Sequence, residues 1–292
     1  MTEPLPIVSN VKPSDEPIFA RIAIVGVGLI GASLGLAVKH RWPSTLLIGV
    51  DRNDVIERAT VAHIIDVGAD DLGMVSGAEL VVLAAPVAEN ERILPRFGDL
   101  ISGEALITDV GGTKRTIVNR GRALPQRLHF VGGHPMAGAA AGGPEHARPD
   151  LFAGRPWILC PDSGIDAQKL TTLITALGAV CVEMSAEEHD AVVAFLSHLP
   201  QLTASALMHV VGERTGPDRL SLAGPGLRDS TRLASSPAAT WKDVCASNAD
   251  NIGPAVDALI AALQSLRADL NRGEALERIF ESARKWKERL SG

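Results

Sequence analysis

Short apolar runs alternating with helical stretches dominate the first two thirds of the chain. Residues 21–26 (Arg-Ile-Ala-Ile-Val-Gly) are a continuous apolar run ending in glycine, the pattern of a strand buried on both faces. Ala32, Leu34, Leu36 and Ala37 follow in helical spacing, and Leu46 to Val50 is a second run closed by Asp51. Strand, glycine turn, helix and strand within roughly 30 residues make a βαβ unit. Further apolar runs lie at 80–84, 105–108, 130–131 and 157–159, several of them separated by helical segments. This alternation predicts a mostly parallel sheet with both faces covered.

Near residue 184 the period changes. From Ser185 onward the spacing is helical, with Ala/Leu-rich stretches at 186–211 and 250–270 and no strand pattern after about 183. The expected fold is α/β, an N-terminal Rossmann domain with a parallel sheet followed by an all-helical C-terminal domain. The expected divisions are a flexible arm at 1–19, a dinucleotide-binding domain at 20–184 and a helical substrate and dimerisation domain at 185–292. The first helix of the last domain is long, apolar and interrupted by Pro200. Its surplus apolar face predicts a homodimer.

Composition narrows the classes. Apolar residues at 46% and charged residues at 21% suit a globular chain with a sizeable core. Six Phe, four Trp and no Tyr leave that core to Ala, Val, Leu and Ile. A formal net charge of −6 argues against nucleic acid or an anionic membrane as the main partner, while leaving room for a local basic pocket. Cys160, Cys181 and Cys245 are far apart and form no CxxC pair, so reduced thiols in a cytoplasmic protein are expected, with no metal site. Met1-Thr-Glu-Pro-Leu-Pro is neither basic nor apolar, so a secretory leader is not expected. The apolar run Leu80 to Ala88 is about half the length of a membrane-spanning helix.

The chemistry begins at Gly26-Val27-Gly28-Leu29-Ile30-Gly31, which follows a strand and opens a helix. Gly26 permits the tight turn, Gly28 lets a pyrophosphate approach the backbone, and Gly31 lets the helix pack on the strand. The helix N-terminus offers free N–H groups to phosphate. Asp51, twenty residues after Gly31, suits the adenine-ribose hydroxyls and favours NAD, although Arg52 beside it can pair with a 2′-phosphate. Pro86 and Asp109 end later strands, where ligands of open α/β sheets gather.

Three clusters remain: Asp109 to Lys114, Gly132 to Gly138, and Ser197 to Gln201 taken with Gly226 to Arg232 and then Trp241. A lone histidine in a turn is more often structural than catalytic. His134 sits between glycines and a proline, which suggests close approach by a ligand and a proton-accepting role near the nicotinamide. Arg228 and Arg232, four apart, share one face if the segment is helical. Such a pair suits a dicarboxylate, and equally a solvated charged turn.

Taken together these motifs resemble the prephenate/arogenate (cyclohexadienyl) dehydrogenases of tyrosine biosynthesis. The resemblance runs from about Arg21 to about Leu270. It rests on GVGLIGASLG at 26–35, DVGGTK at 109–114, GGHPMAG at 132–138, LFAGRPW at 151–157, SHLPQ at 197–201 and GLRDSTRLA at 226–234. It implies hydride transfer to NAD from C4 of a cyclohexadienol, with loss of the ring carboxylate as carbon dioxide. It implies that His134 is the catalytic histidine polarising the C4 hydroxyl and that Arg232 binds a substrate carboxylate. His198 and Gln201 then line the pocket, and Arg228 and Trp241 lie near the substrate, Trp241 reaching over from the partner subunit.

Many members have serine where this chain has Gly112, so Thr113 is the expected replacement. Many have histidine where Gln201 stands, and a neutral residue there mildly favours arogenate. The stretch after HPMAG, Ala139 to Gly143, carries no ionisable group, so a gating ion pair is not expected. A fused regulatory domain is not expected. Two alternatives stay open. A β-hydroxyacid dehydrogenase or imine reductase relies on a lysine in its helical domain, and none lies between Lys169 and Lys242. A non-catalytic NAD sensor has no need of His134 with Arg228 and Arg232.

Overall fold

The computed structural model of the chain describes residues 16–138 and 142–291. Strands and helices alternate through its first part: β1 (Arg21–Val25), α1 (Leu29–Arg41), β2 (Leu46–Val50), α2 (Asn53–Val61), β3 (Val67–Ala69), β4 (Leu80–Leu83), α3 (Val87–Ile93), α4 (Phe97–Leu100), β5 (Ala105–Asp109), α5 (Arg115–Gly121), β6 (Leu128–Pro135), β7 (Pro156–Pro161), α6 (Gln168–Ala176) and β8 (Val180–Glu183). They build an eight-stranded sheet in the order β3-β2-β1-β4-β5-β6-β7-β8. Neighbours run parallel except β6 and β7, which are antiparallel.

Both faces of the central strands are covered, which is why they read as unbroken apolar runs. On β1, Ile22 and Ile24 point to the side of Leu34 and Val38 of α1 and Leu170, Leu173 and Ile174 of α6. Ala23 and Val25 point to the other side, with Ile93 of α3, Phe97 of α4 and Ile117 of α5. Each buried side chain of Val, Leu or Ile size contributes about 1.5–3 kcal/mol of transfer free energy. The carboxyl ends of β1, β4 and β5 therefore sit on a rigid base, and their following turns form one rim.

Two expectations differ from the structure. Packing begins inside the expected arm of 1–19: Phe19 is buried in the core and its carbonyl accepts from Thr45 Oγ1 at 3.3 Å. Residues 1–15, the rest of the expected arm, lie outside the described residues, as do 139–141 of the stretch after HPMAG. Strand β6 is much longer than the two residues expected and contains His134, which pairs with Ile158 of β7.

The second part comprises α7 (Ala186–Val193), α8 (Leu199–Leu220), α9 (Pro225–Ser230), α10 (Ala238–Ser247), α11 (Ala249–Ala268) and α12 (Glu274–Ser291). Ser185 starts α7 by accepting from Glu188 N at 3.1 Å. Pro200 does not interrupt the helix. A π-helical turn, Ala194–His198, joins α7 to α8 immediately before it. The widened turn absorbs the missing N–H and re-aims Ser197 and His198. The joined stretch 186–220 is long and apolar enough to cross a membrane, yet it carries the buried pair His189 and Asp190. Several of its apolar side chains are exposed, including Phe195, Leu207 and Val210, as are Ile260 and Leu263 of α11 and Phe280, Trp286 and Leu290 of α12.

Candidate active site

Two cavities meet across the N-terminus of α1. The first, about 710 Å³, is lined by Gly26, Gly28, Asp51, Arg52 and Pro86 among others. The second, about 540 Å³, lies between Leu29 and Ile30 on one side and Gln201, Arg232 and Trp241 on the other, with Gly112, His134 and His198 along its wall.

The first cavity has the shape of a dinucleotide cradle. A Cβ on Gly31 would collide with the Gly26 carbonyl, whereas a Cβ on Gly28 would enter open space. Bare backbone therefore borders a void at a helix N-terminus whose first hydrogen bond runs from Ala32 N to Gly28 O. The N–H groups of Leu29, Ile30 and Gly31 have no acceptor within the helix. Asp51 accepts from Val27 N and from Arg52 N, both at 2.7 Å, one bond to each oxygen. Each oxygen keeps a lone pair for a ribose hydroxyl. Arg52 leans on exposed Asp54. Arg58, Arg92 and Arg96 add cations to this cavity that the motifs did not signal.

In the second cavity His134 lines the wall in front of a buried His-Asp pair. Its Nδ1 lies 2.8 Å from His189 Nε2, and His189 Nδ1 lies 2.8 Å from Asp190 Oδ1. His189 and Asp190 are buried. Burial, with His189, Lys114 and His198 nearby, holds His134 well below the usual histidine range. His134 Nε2 has no hydrogen-bond partner among the described residues, and the ring borders the cavity. His198 is pushed down to about 4 by burial, against the opposing bond to the Gly112 carbonyl. Its Nδ1 lies 3.3 Å from Asn248 Nδ2, and its ring meets Trp241 edge-on at 5.9 Å.

Other expected residues fall elsewhere. Thr113 does not replace the missing serine hydroxyl: it is buried, and its Oγ1 pairs with Ser247 Oγ at 2.9 Å. Asp109 borders neither cavity. Its carboxylate accepts from Gly111 N at 2.8 Å and Gly133 N at 3.1 Å and pairs with buried Lys114, so it ties the ends of β5 and β6 together. Arg228 is exposed and outside both cavities, because α9 ends at Ser230 and Arg232 begins a separate 3₁₀ turn. The two arginines therefore do not share a helix face. Gln201 borders the cavity, but its amide is engaged: Nε2 donates to Leu233 O at 2.8 Å and Oε1 accepts from Ser236 Oγ at 3.1 Å. It moors the turn that carries Arg232.

The sequence reading missed His189, Asp190, Arg115 and Asn248. The signal for the first two was present. Buried Ala186, His189, Asp190, Val193 and Ala194 follow the core-facing spacing of a helix, so two polar groups occupy its apolar stripe. The acidic start Glu187-Glu188 stands directly before them and masks that stripe.

A glycine-bordered dinucleotide cradle beside a half-buried histidine and a helical domain defines a nucleotide-dependent dehydrogenase. The family model for the prephenate dehydrogenase nucleotide-binding domain matches residues 34–184, and that for the prephenate dehydrogenase dimerization domain matches 185–284. A prephenate dehydrogenase of Bacillus subtilis is 37% identical over 282 residues, covering 92% of this chain and 76% of that protein. A cyclohexadienyl dehydrogenase of Zymomonas mobilis is 31% identical, covering 92% and 95%. The crystal structure of prephenate dehydrogenase from A. aeolicus, in complex with hydroxyphenyl propionate and NAD+, superposes with a TM-score of 0.83 at 30% identity, covering 92% and 97%. This chain belongs to the prephenate dehydrogenase family.

Proposed function

We propose that this protein catalyses the NAD-dependent oxidative decarboxylation of prephenate, arogenate or both, in tyrosine biosynthesis. The observation that carries this reading is His134, a neutral histidine whose Nε2 has no partner among the described residues and whose ring lines the second cavity. NAD, when bound, supplies the hydride acceptor. Gly28 and the N-terminus of α1 receive its pyrophosphate, and Asp51 its ribose hydroxyls.

Arg232 pairs with a substrate carboxylate from the moored turn. His134 Nε2 accepts the hydrogen bond of the C4 hydroxyl and takes its proton as hydride leaves C4. The carbon–carbon bond to the ring carboxylate then breaks. Its electron pair aromatises the ring, carbon dioxide departs, and the proton on His134 returns to the phenol oxygen. The hydroxyl proton is borrowed and returned, so no net proton leaves the site. His198, kept neutral, adds no cation next to the reacting ring.

NADH formation with each substrate tests the reading, and no turnover of either overturns it. His134→Ala is expected to lower kcat by about 10²–10⁴-fold and leave NAD affinity within a few-fold. The family's dimerization domain and the exposed apolar side chains of α8, α11 and α12 support a homodimer. Sedimentation showing a monomer at micromolar concentration speaks against it.

A further inference from the structure

We propose that His189 and Asp190 are positioning residues that fix His134 in the tautomer with a bare Nε2, so that the base is set before substrate binds. This rests on the reading of His134 as the group facing the C4 hydroxyl. Asp190 Oδ1 accepts from Lys114 N at 2.7 Å and meets His189 Nδ1 at 2.8 Å. Its Oδ2 accepts from Arg115 N at 3.0 Å and from Arg115 Nε at 3.2 Å. An ionised carboxylate has about four acceptor positions and no proton to give. These four partners fill them, and the partner nitrogen on His189 must therefore be a donor.

With its proton on Nδ1, neutral His189 presents a lone pair at Nε2. Burial keeps it neutral despite the pull of Asp190. The atom facing that lone pair is His134 Nδ1 at 2.8 Å, and two bare nitrogens at that separation would repel. His134 Nδ1 therefore carries a proton, and a neutral ring then has its lone pair on Nε2. A carboxylate two residues removed from the cavity thus decides which nitrogen meets the substrate.

The anchor is held from both domains. Lys114 ends the turn after β5 and Arg115 opens α5, while His189 and Asp190 belong to α7. The Arg115 guanidinium also grips Asp250 at 2.7 Å and Asn248 Oδ1 at 3.2 Å, and Asn248 Nδ2 donates to the Asp190 carbonyl at 2.7 Å. Asp190 is therefore fixed at the seam where the cofactor and substrate halves join. Because the reaction returns its hydroxyl proton to the product, the chain has no need to conduct charge outward. Its work is orientation.

Nitrogen-15 NMR of histidine-labelled, substrate-free protein reads the tautomer directly, and the expected spectrum shows His134 protonated at Nδ1. Asp190→Asn presents an amide donor in place of an acceptor and should reverse both tautomers, with kcat falling by about 10³–10⁴-fold. His189→Leu should lower kcat by roughly 10²-fold, and His189→Gln, which keeps an acceptor for His134 Nδ1, should recover most of it. KM and NAD affinity should stay within about 3-fold in all three. A wild-type His134 protonated at Nε2 overturns the proposal. So does folded His189→Leu with wild-type kcat. If His189→Leu fails to fold, the wild-type spectrum and Asp190→Asn still decide. Failure to turn over either substrate, with the expected spectrum intact, would sink the proposed reaction and leave the tautomer assignment standing.

Discussion

The two cavities are built by opposite means. The cofactor cradle comes from residues close together in the chain: a strand end, three glycines, the next helix and one acid at the end of the following strand. Its groups are mostly backbone. The substrate cavity gathers Leu29, Gly112, His134, His198, Arg232 and Trp241 from six separate stretches. Its groups are side chains whose orientation is set by further residues behind them. A backbone site tolerates most side-chain changes and fails at glycines. A side-chain site fails wherever its second row is disturbed.

The largest effect expected on that contrast is at Gly31. Gly31→Val drives a branched side chain into the Gly26 carbonyl and Ile24. A loss of more than about 3 kcal/mol in unfolding free energy, or of NAD binding by calorimetry, is expected. Wild-type stability and affinity would break the backbone account of the cradle.

A similar magnitude is expected from pH. His198 has its pKa depressed from 6.5 to about 4, so the unfolded chain binds protons that the folded chain refuses. Stability is complete above pH 6.5 and falls as pH drops towards 4, by roughly 3 kcal/mol from this group. His134 and His189 are depressed too and act in the same direction. Denaturant melts from pH 7 to 4 measure the slope, and His198→Gln should flatten it.

The glycines of the substrate half sharpen the comparison further. A Cβ on Gly133 would sit 2.5 Å from the Asp109 carbonyl and 2.9 Å from Thr108 Oγ1, so Gly133→Ala should cost about 2–3 kcal/mol. A Cβ on Gly112 meets only Val244 Cγ2 at 3.6 Å. Gly112→Ser should therefore fold with a stability change within about 0.5 kcal/mol. A large loss there would mean that the missing hydroxyl leaves no usable space.

The smallest effect is at Gln201. Gln201→His loses at least one tie to the turn bearing Arg232, so KM for both substrates should rise by a few-fold together. A change in the ratio of kcat/KM between prephenate and arogenate, with KM unmoved, would return Gln201 to a selecting role.

Sequence motifs located both cavities but not their second row. His134, His198, Arg232 and Trp241 stood out and are gathered in one cavity. Asp109, Thr113 and Arg228 stood out equally and are not. Asp109 and Thr113 are polar residues with buried structural partners, and local sequence does not distinguish a structural partner from a ligand. The extent of β6 was hidden because Gly-Gly-His-Pro lacks alternation and carries two strand-averse residue types.

The sequence by itself determined the βαβ cradle and the switch to helices at Ser185. Those features depend on short-range periodicity, backbone freedom and caps, all written within a few residues. Only the tertiary structure decided that His134 rests on His189 and Asp190, that Gln201 moors a turn, and that Arg115 binds the seam. Those contacts join residues tens of positions apart, and their geometry exists only once the sheet and helices have packed.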